Sequence, residues 1–348
     1  MIPTSEDIIQ FVTDSIPSFE ASGNVEKLSG GNLNFVWRVF GNPSPVIVKH
    51  APPFIAAAPD IPINPDRIIF EATALRLLNN EYLPFPGGHI HPPTPIHIDS
   101  EKHILIMEDI GNVPTLDVAE QIDHKLGAQL GLYLANLHSK SNRNEIGKQE
   151  LNNISIQQTR LDVQYSQIAS LLADVGIVDA EELGKKAQEL GEKYLNPGRC
   201  LIMGDLWPRS ILVQNSPPLL YLIDWEFAHY GRPSQDIGHL MAHLHMLGHR
   251  AQDTITKAGF QSFASSFIQS YYTHIHSEAP SLFDAAEIHD AGVHFGAEII
   301  ARTLGNFQSG YVYEGLGPTD SVMQEAIETA TRYLREPLLF KDFFIASV

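Results

Sequence analysis

Apolar and polar positions in the first third of the chain change from a helical period to a strand period. In residues 4–16 the apolar side chains fall mostly on one helical face, and Thr4 or Ser5 can cap the first turn, which predicts a short amphipathic helix. After residue 24 the apolar runs become short, β-branched and aromatic, and glycine, asparagine and proline separate them. This pattern predicts antiparallel strands at 24–28, 35–40 and 46–49.

The remainder of the chain has two more early strands and is then mostly helical. Residues 66–80 return to helical spacing, and the Pro- and Ala-rich stretch 52–65 before them predicts a mobile loop. Further strands are predicted at 94–98, 103–107, 200–203, 211–213 and 219–223. Further helices are predicted at 116–140, 156–173, 179–194, 235–248, 253–277, 284–304 and 319–335.

A β-rich first third followed by a helix-rich remainder predicts an α+β chain in two lobes. We place the connector at residues 108–114, so that 1–108 form an N-terminal lobe and 109–348 form a C-terminal lobe. A chain of 348 residues is long enough for two such lobes, since domains run to roughly 150 residues.

Composition and charge narrow the class of protein. Apolar residues make up 43% and charged residues 18% of the chain, which is ordinary for a globular protein. The formal net charge of −18 argues against a nucleic-acid or anionic-membrane partner. The single cysteine, Cys200, excludes an intrachain disulfide, and the first residues lack a signal-peptide pattern, so we expect a cytoplasmic protein. No apolar run is long enough to predict a membrane span.

Two apolar runs in the second half of the chain each end in an acid. Asp205 follows the run that starts at Cys200, and Asp224 follows the run 219–223. If the two strands lie side by side, both carboxylates reach one rim, and Glu226 points the same way as Asp224 if the strand continues. Hard oxygen ligands of this kind suit Mg²⁺. Taken alone, each acid is as compatible with a turn residue or a cap as with a metal ligand.

The N-terminal third carries a glycine-rich turn and a lysine inside an apolar strand. Gly30, Gly31 and Asn32 form a turn whose backbone N–H groups can approach phosphate oxygens, although Gly-Gly-Asn is also an ordinary hairpin turn. Lys49 ends a predicted strand, where a charge is costly unless it is paired, and Glu71 on the next helix is a candidate partner. The alternative is a surface lysine and a solvated glutamate.

The order of these features resembles that of a known family. The chain resembles the protein-kinase-like small-molecule phosphotransferases, the superfamily of aminoglycoside phosphotransferases and choline kinases, and most of all methylthioribose kinase. The resemblance implies an α+β, bilobal protein-kinase-like fold and a kinase that uses ATP and Mg²⁺ to phosphorylate a hydroxyl. The segments that carry it are GGNLNFVWRV, VIVKH, FEATALRLL, LIMEDI, LANLH, MGDLWPRSILV and IDWEFAHYGRPSQDIGHL, with a weaker echo at IIARTLGN.

The resemblance also implies roles for individual residues. Lys49 would bind the α- and β-phosphates of ATP, and Glu71 would orient it. Asp205 would position and deprotonate the acceptor hydroxyl, and Asp236 would brace the catalytic loop. The phosphate loop would contain Gly30, Gly31, Asn32 and Asn34, the backbone of Glu108 and Ile110 would pair with adenine, and Asp224, Glu226 and Ser210 would hold Mg²⁺.

The acceptor side departs from the methylthioribose kinase pattern. Trp207 and Arg209 replace small residues of the catalytic loop, Met203 replaces its usual histidine, and only Arg302 remains of a paired-arginine motif. We expect Trp207, Arg209 and Arg302 to line the acceptor site. Methylthioribose or a related sugar is the leading acceptor, an aminoglycoside or choline-type amine is the alternative, and a nucleotide-binding pseudokinase is the second alternative. The resemblance also suggests a homodimer.

Two histidines lie at a spacing that metal sites use. His239 and His243 are four residues apart on a predicted helix, so one face carries both rings. Neither cysteines nor a Glu-x-x-His pattern accompanies them. We therefore predict a packed or solvated helix face here in preference to a zinc site.

Overall fold

Strands dominate the N-terminal part of the computed structural model and helices dominate the rest; residues 4–29, 31, 33–79, 88–145 and 147–345 are described. The strands are β1 (Glu20–Leu28), β2 (Phe35–Asn42), β3 (Val46–His50), β4 (Phe54–Ile55), β5 (Ala58–Pro62), β6 (Ile90–His91), β7 (Pro95–Asp99), β8 (Ile104–Glu108), β9 (Cys200–Ile202), β10 (Ile211–Asn215), β11 (Pro218–Leu222) and β12 (His229–Gly231). The helices are α1 (Ser5–Ser15), α2 (Arg67–Leu78), α3 (His124–Asn144), α4 (Ile154–Arg160), α5 (Ile168–Asp174), α6 (Ala180–Tyr194), α7 (Pro233–Arg250), α8 (Thr254–Glu278), α9 (Ala285–Thr303), α10 (Ser321–Arg335) and α11 (Asp342–Ile345).

Five antiparallel strands form the N-terminal sheet in the order β1-β2-β3-β8-β7. The central strand β3 places Val46 and Val48 in the core, and Val48 lies opposite Ile106 on β8. Lys49, which follows Val48, points to the other face because neighbouring residues of a strand alternate sides. That face meets α2, whose residues also pack against the short turn Trp225–Phe227. The sheet therefore brings Lys49 next to the C-terminal half of the chain.

Close helix packing builds the C-terminal part. Helix α3 packs on α8, and a Cβ at Gly131 would lie 2.2 Å from the Phe267 carbonyl oxygen, so only glycine permits this approach. Helix α7 packs on α9 in the same way, because a Cβ at Gly238 would lie 2.7 Å from the Ala291 carbonyl oxygen. This tight crossing brings polar side chains of α7 and α9 within hydrogen-bond reach of each other.

The structure confirms the predicted α+β class and nearly all predicted elements, and it corrects three. The helix predicted at 116–140 begins only at His124, because the preceding segment pairs with β10: Leu116 N–H donates to Ile211 O at 2.8 Å. The helix predicted at 156–173 is three pieces, with a π-helical turn at Leu161–Tyr165 between α4 and α5. The predicted loop 52–65 contains the β4–β5 hairpin. Among the described helices, none is both long and apolar enough to cross a membrane.

Candidate active site

A buried lysine links the N-terminal sheet to the C-terminal part of the chain. Lys49 Nζ on β3 lies 2.8 Å from Glu71 Oε2 on α2 and 2.7 Å from Asp224 Oδ1, two residues after β11. The Lys49 side chain is 3% exposed, whereas the Asp224 side chain is 42% exposed. The predicted pairing of Lys49 with Glu71 is confirmed, and the alternative of a solvated pair is wrong.

The charges around Lys49 form what we call the Lys49 cluster: Lys49, Arg67, Glu71, Asp224 and Glu226. Burial alone would lower the pKa of Lys49, but the charges of its three acidic neighbours raise it above its ordinary value. Burial raises the pKa of Glu71, and the nearby carboxylates of the cluster oppose the lowering effect of Lys49. Three carboxyl groups face two cations in the cluster, and this acidic balance favours a bound cation.

Glu226 is more buried than Asp224, the other acid that the C-terminal part of the chain contributes to the cluster. Its Oε1 accepts a hydrogen bond from Asn34 Nδ2 at 2.7 Å, and its Oε2 lies 2.9 Å from Arg67 Nε. The backbone of Asp224 is left-handed, with φ 64°, and a 3-10 turn follows it. The strand therefore stops before Glu226, and the expectation of a continuing strand is wrong. The two acids still converge, because Glu226 Oε1 lies 3.8 Å from Lys49 Nζ.

The loop after β9 presents Asp205, and two features fix its backbone. Gly204 has φ +81°, and a Cβ there would lie 2.4 Å from the Phe227 carbonyl oxygen, so the turn requires glycine. The buried Asp236 carboxylate accepts the N–H of Met203 at 2.9 Å and of Gly204 at 2.8 Å. These two hydrogen bonds confirm the predicted bracing of the loop by Asp236.

One oxygen of the Asp205 carboxylate is held and the other is left open. Arg160 Nη2 on α4 donates to Oδ1, and His239 Nε2 on α7 lies 3.3 Å from the same oxygen. In the described part of the chain no side chain hydrogen-bonds to Oδ2, and the Asp205 side chain is 24% exposed. Burial alone would raise the pKa of Asp205, but the charge of Arg160 and the neighbouring His239 hold it well below its ordinary value. The surroundings of Asp205 therefore favour its ionised form, and among the described residues its Oδ2 accepts no side-chain hydrogen bond.

Ser210 closes the loop after β9 on itself. Its Oγ donates to the Trp207 carbonyl oxygen at 2.8 Å and accepts the Trp207 N–H at 3.2 Å. The residue is fully buried. The structure thus places the Ser210 hydroxyl on the backbone of the loop that carries Asp205.

Arginines and aromatic rings form a wall beside the catalytic loop, and the three residues predicted to meet the acceptor belong to it. The Arg302 guanidinium lies 5.0 Å from the Trp207 ring, and the Arg209 guanidinium lies 5.6 Å from that ring. Both arginines also cover Tyr311, at 5.4 and 5.0 Å. Each is anchored by an acid: Arg302 by Glu298 and Arg209 by Asp117. We call Trp207, Arg209, Arg302 and Tyr311 the acceptor wall.

The predicted nucleotide-contacting residues fall into three groups. Gly31 is exposed, while Gly30 and Asn32 lie outside the described residues. The Asn34 side chain points inward, where its Nδ2 donates to Glu226 Oε1 at 2.7 Å and its Oδ1 accepts from Arg67 Nη2 at 3.0 Å. Glu108 ends β8 and Ile110 follows it in the connector between the sheet and the helical part.

His239 and His243 approach a third potential ligand, Glu298 on α9, but the geometry is that of a hydrogen-bonded group. The three ligand atoms all lie within 4.8 Å of one another. His243 Nε2 lies 3.0 Å from Glu298 Oε1, whose charge Arg302 already balances. The predicted packing of this helix face is confirmed, since His239 and His243 are each at most 1% exposed.

Sequence reasoning missed three side chains at the site. Arg160 and His239 reach Asp205 from helices 45 residues before it and 34 residues after it, and Arg67 reaches Glu226 from α2. A buried arginine needs a carboxylate partner, but only the tertiary contacts reveal which carboxylate it meets. The four-residue spacing of His239 and His243 could be read from the sequence, but only the fold shows that His239 lies beside Asp205.

Comparisons with known proteins identify the family. The sequence profile of the phosphotransferase enzyme family matches residues 24–271. The chain is 30% identical over 293 residues to 4-hydroxytryptamine kinase of Psilocybe cyanescens, covering 78% of this chain and 80% of that protein. It is 26% identical over 315 residues to methylthioribose kinase of Exiguobacterium sibiricum, covering 80% of this chain and 79% of that protein.

Solved structures agree on the fold. An amicoumacin kinase in complex with AMP-PNP and Ca²⁺ superposes with a TM-score of 0.55 at 13% identity, covering 96% of this chain and 93% of that chain. A choline/ethanolamine kinase family protein from Mesorhizobium loti superposes with a TM-score of 0.51 at 15% identity, covering 99% of each chain. The expected kinase-like architecture is confirmed. The chain, with its two-part fold and its matched profile, belongs to the phosphotransferase enzyme family and is a small-molecule kinase.

Proposed function

We propose that this kinase transfers the γ-phosphoryl group of ATP to a hydroxyl of a small molecule, with Asp205 as the base. The observation that carries the proposal is that Lys49 Nζ joins Glu71 and Asp224, which is 175 residues away in the chain. Phosphoryl transfer requires alignment and charge neutralisation, with a base near the hydroxyl. Lys49 supplies a fixed cation for the phosphates, and Asp205 supplies a free carboxylate oxygen for the hydroxyl.

The residues around Lys49 fit a magnesium ion. Asp224 offers oxygen ligands on a half-exposed side chain, and carboxyl groups outnumber cations in the Lys49 cluster. Asp224 would be the main ligand, with Glu226 and Ser210 contributing after they exchange their present partners. The ion would neutralise charge on the phosphates of ATP. Gly30, Gly31, Asn32 and Asn34 are the proposed phosphate loop, and the backbone of Glu108 and Ile110 is the proposed adenine contact.

Two steps are assigned to the chain's own residues. Asp205 Oδ2 accepts a hydrogen bond from the acceptor hydroxyl and takes its proton as the hydroxyl oxygen bonds to the γ-phosphorus and the bond from that phosphorus to the β–γ bridging oxygen breaks, with ADP as the leaving group. Oδ1 stays on Arg160, so the carboxylate keeps one orientation while the substrates bind. Lys49, held by Glu71, keeps the phosphates in line with that hydroxyl.

We infer that the acceptor is an aromatic hydroxyl compound of the hydroxytryptamine type. The acceptor wall contains the aromatic rings of Trp207 and Tyr311, 5.4 Å apart, and aromatic side chains pair with flat aromatic ligands. Arg302, which a sugar would need for hydrogen bonding, is bound to Glu298 at 2.7 Å and covered by rings. Two relatives, at 30% and 28% identity, are 4-hydroxytryptamine kinases.

Methylthioribose is the second candidate acceptor. The catalytic-loop and Asp-x-Glu segments resemble those of methylthioribose kinase, and relatives with that name are 22–26% identical to the chain. Arg302 lies beside the catalytic loop, as the surviving member of the arginine pair would have to. Release of Arg302 from Glu298 on substrate binding would free it for sugar hydroxyls.

An acceptor panel tests both levels of the proposal. The purified chain is incubated with ATP, Mg²⁺ and either 4-hydroxytryptamine, methylthioribose or choline, and phosphorus NMR identifies the product. We expect a phosphate ester of 4-hydroxytryptamine, and its loss in Asp205→Asn, with the exposed acid variant Asp174→Asn as the matched control. A product with methylthioribose or choline alone would overturn the acceptor assignment. No product with any acceptor, together with nucleotide binding, would support the pseudokinase alternative.

A further inference from the structure

A line of three buried side chains runs inward from the catalytic carboxylate. His239 Nε2 lies 3.3 Å from Asp205 Oδ1, and His239 Nδ1 lies 3.0 Å from His294 Nε2 on α9. His294 Nδ1 in turn hydrogen-bonds to the hydroxyl of Tyr165. His239, His294 and Tyr165 are each at most 1% exposed. We call these three residues the histidine relay.

The chemistry of the two ends fixes the position of every proton in the relay. Asp205 is ionised, so the ring nitrogen that faces it must carry a hydrogen. A neutral His239 then has a bare Nδ1, which must accept from His294 Nε2–H. The bare Nδ1 of His294 must accept from the Tyr165 hydroxyl, whose proton is retained because burial raises the pKa of Tyr165 above its ordinary value. Each group donates once towards Asp205.

The surroundings favour a neutral His294, and cations already balance the acids near His239. Burial holds the pKa of His294 well below its ordinary value. The positive charge of Arg160 already balances Asp205, and Arg302 already balances Glu298, which lies 3.6 Å from His239 Nδ1. A charged imidazole would add an unbalanced positive charge to a buried region. A neutral relay satisfies its donors without that cost.

We propose that His239 is a positioning residue for the base, and that His294 and Tyr165 lock it in the tautomer whose Nε2–H faces Asp205. The inference rests on the proposed role of Asp205 and extends it. Arg160 and His239 approach Oδ1 from two different helices, α4 and α7, so together they fix the carboxylate in two directions. Oδ2 then faces the acceptor in one orientation. Loss of the tautomer lock lets His239 turn its bare nitrogen to Asp205, which repels the carboxylate.

The test is Tyr165→Phe, which removes one hydroxyl from the far end of the relay. We expect kcat to fall on the order of 10-fold while KM for ATP stays within about 2-fold, because misplacement of a reacting group slows chemistry more than binding. The matched control is Tyr194→Phe. Tyr194 is equally buried and its ring lies 6.0 Å from His294, but its hydroxyl donates to Ser234 at 3.2 Å. Equal kcat losses in the two variants would overturn the proposal.

A pair of substitutions at His239 separates positioning from packing. His239→Gln keeps an N–H donor at the reach of Nε2, whereas His239→Leu keeps volume and removes the donor. We expect the glutamine variant to retain at least about 10-fold more kcat than the leucine variant. Equal activity of the two would overturn the positioning role.

A spectroscopic measurement keeps the relay testable without turnover. Nitrogen-15 NMR of the folded chain reports which ring nitrogen of each histidine is protonated, and His239→Gln and His294→Gln assign the two signals. We expect Nε2–H tautomers for both in the wild type and a mixture for His294 in Tyr165→Phe. A doubly protonated His239, or unchanged tautomers in the variant, would overturn the relay. If the wild type shows these tautomers but phosphorylates no acceptor, the proposed function fails and the relay geometry stands.

Discussion

Arg160 is the residue whose removal should change the chemistry of Asp205 most directly. Its guanidinium donates to Asp205 Oδ1 and lies over the Phe227 ring at 5.1 Å, with a side chain only 5% exposed. Arg160→Met keeps most of the apolar stem and removes the charge. Asp205 then keeps its burial but loses the main influence that holds its pKa low. We therefore predict that the pKa of Asp205 rises in this variant.

The size of the effect follows from the contact. Two unit charges about 4 Å apart at an effective dielectric constant of about 20 attract by about 4 kcal/mol. That energy corresponds to about three pKa units. Because a quarter of the Asp205 side chain is exposed, solvent screens part of this attraction, and we expect a rise of about one to two units.

The assay is the pH dependence of kcat/KM for the phosphorylated acceptor. The wild type should show no loss from protonation of Asp205 above pH of about 5, since the pKa of that carboxyl lies well below its ordinary value. The acid limb of Arg160→Met should lie about one to two pH units above that of the wild type, because Asp205 is protonated at a higher pH. Arg160→Lys should keep the wild-type acid limb because the charge is retained.

The control for general effects is Arg143→Met, which removes a half-exposed arginine paired with Glu278. It should leave the profile unchanged, since exposed ion pairs contribute little. An acid limb in Arg160→Met that coincides with that of the wild type would refute the role assigned to Arg160.

Three further predictions concern the cluster, the buried histidines and the catalytic loop. Glu71→Gln should raise KM for ATP on the order of 10-fold, because it weakens a charge-assisted contact of about 1.5–3 kcal/mol that orients Lys49. Titration of ATP at a fixed acceptor concentration measures this KM. Burial lowers the pKa of His229 and His245 to about 4, so the unfolded chain binds more protons than the folded chain between pH 6.5 and 4. The free energy of unfolding, measured with urea, should therefore fall by up to about 1.4 kcal/mol per histidine per pH unit as the pH is lowered through this range, and His245→Gln should flatten the slope. Gly204→Ala should lower kcat and reduce the free energy of unfolding by about 1–3 kcal/mol or more. The control Gly176→Ala, at φ +79° with open space around it, should lose only the energy of backbone strain, and kcat and thermal melting compare the two variants.

Most of the fold could be predicted from the sequence, because the periodicity that specifies a strand or a helix lies in residues that are close together in the chain. The alternation around Val46 and Val48 and the glycine and proline turns specify the strands of the sheet without knowledge of the rest of the chain. The helix predicted at 116–140 fails in its first turns because Leu116 finds a hydrogen-bond partner on β10, about 95 residues later. Pairing at that distance overrides local spacing.

The candidate site shows the same difference between residues that the local sequence reveals and residues that only tertiary contacts reveal. Lys49 and Asp205 can be recognised in the sequence because a charge at the end of an apolar strand is costly unless it is paired or has a function. Arg160, by contrast, sits in an ordinary helical sequence, and its role exists only because α4 ends beside the catalytic loop. Arg67 shows the same limit, since nothing in its surroundings along the chain indicates a partner at Glu226.

The central claim is that Asp205 is the base of an ATP-dependent transfer to a small-molecule hydroxyl. The most direct measurement is single-turnover phosphoryl transfer from ATP to 4-hydroxytryptamine, with Mg²⁺, by the wild type and Asp205→Asn, alongside the affinity of each for ATP. The account predicts a loss of rate of at least about 100-fold in the variant with ATP affinity within about 3-fold of the wild type. Equal transfer rates in the two proteins would contradict it.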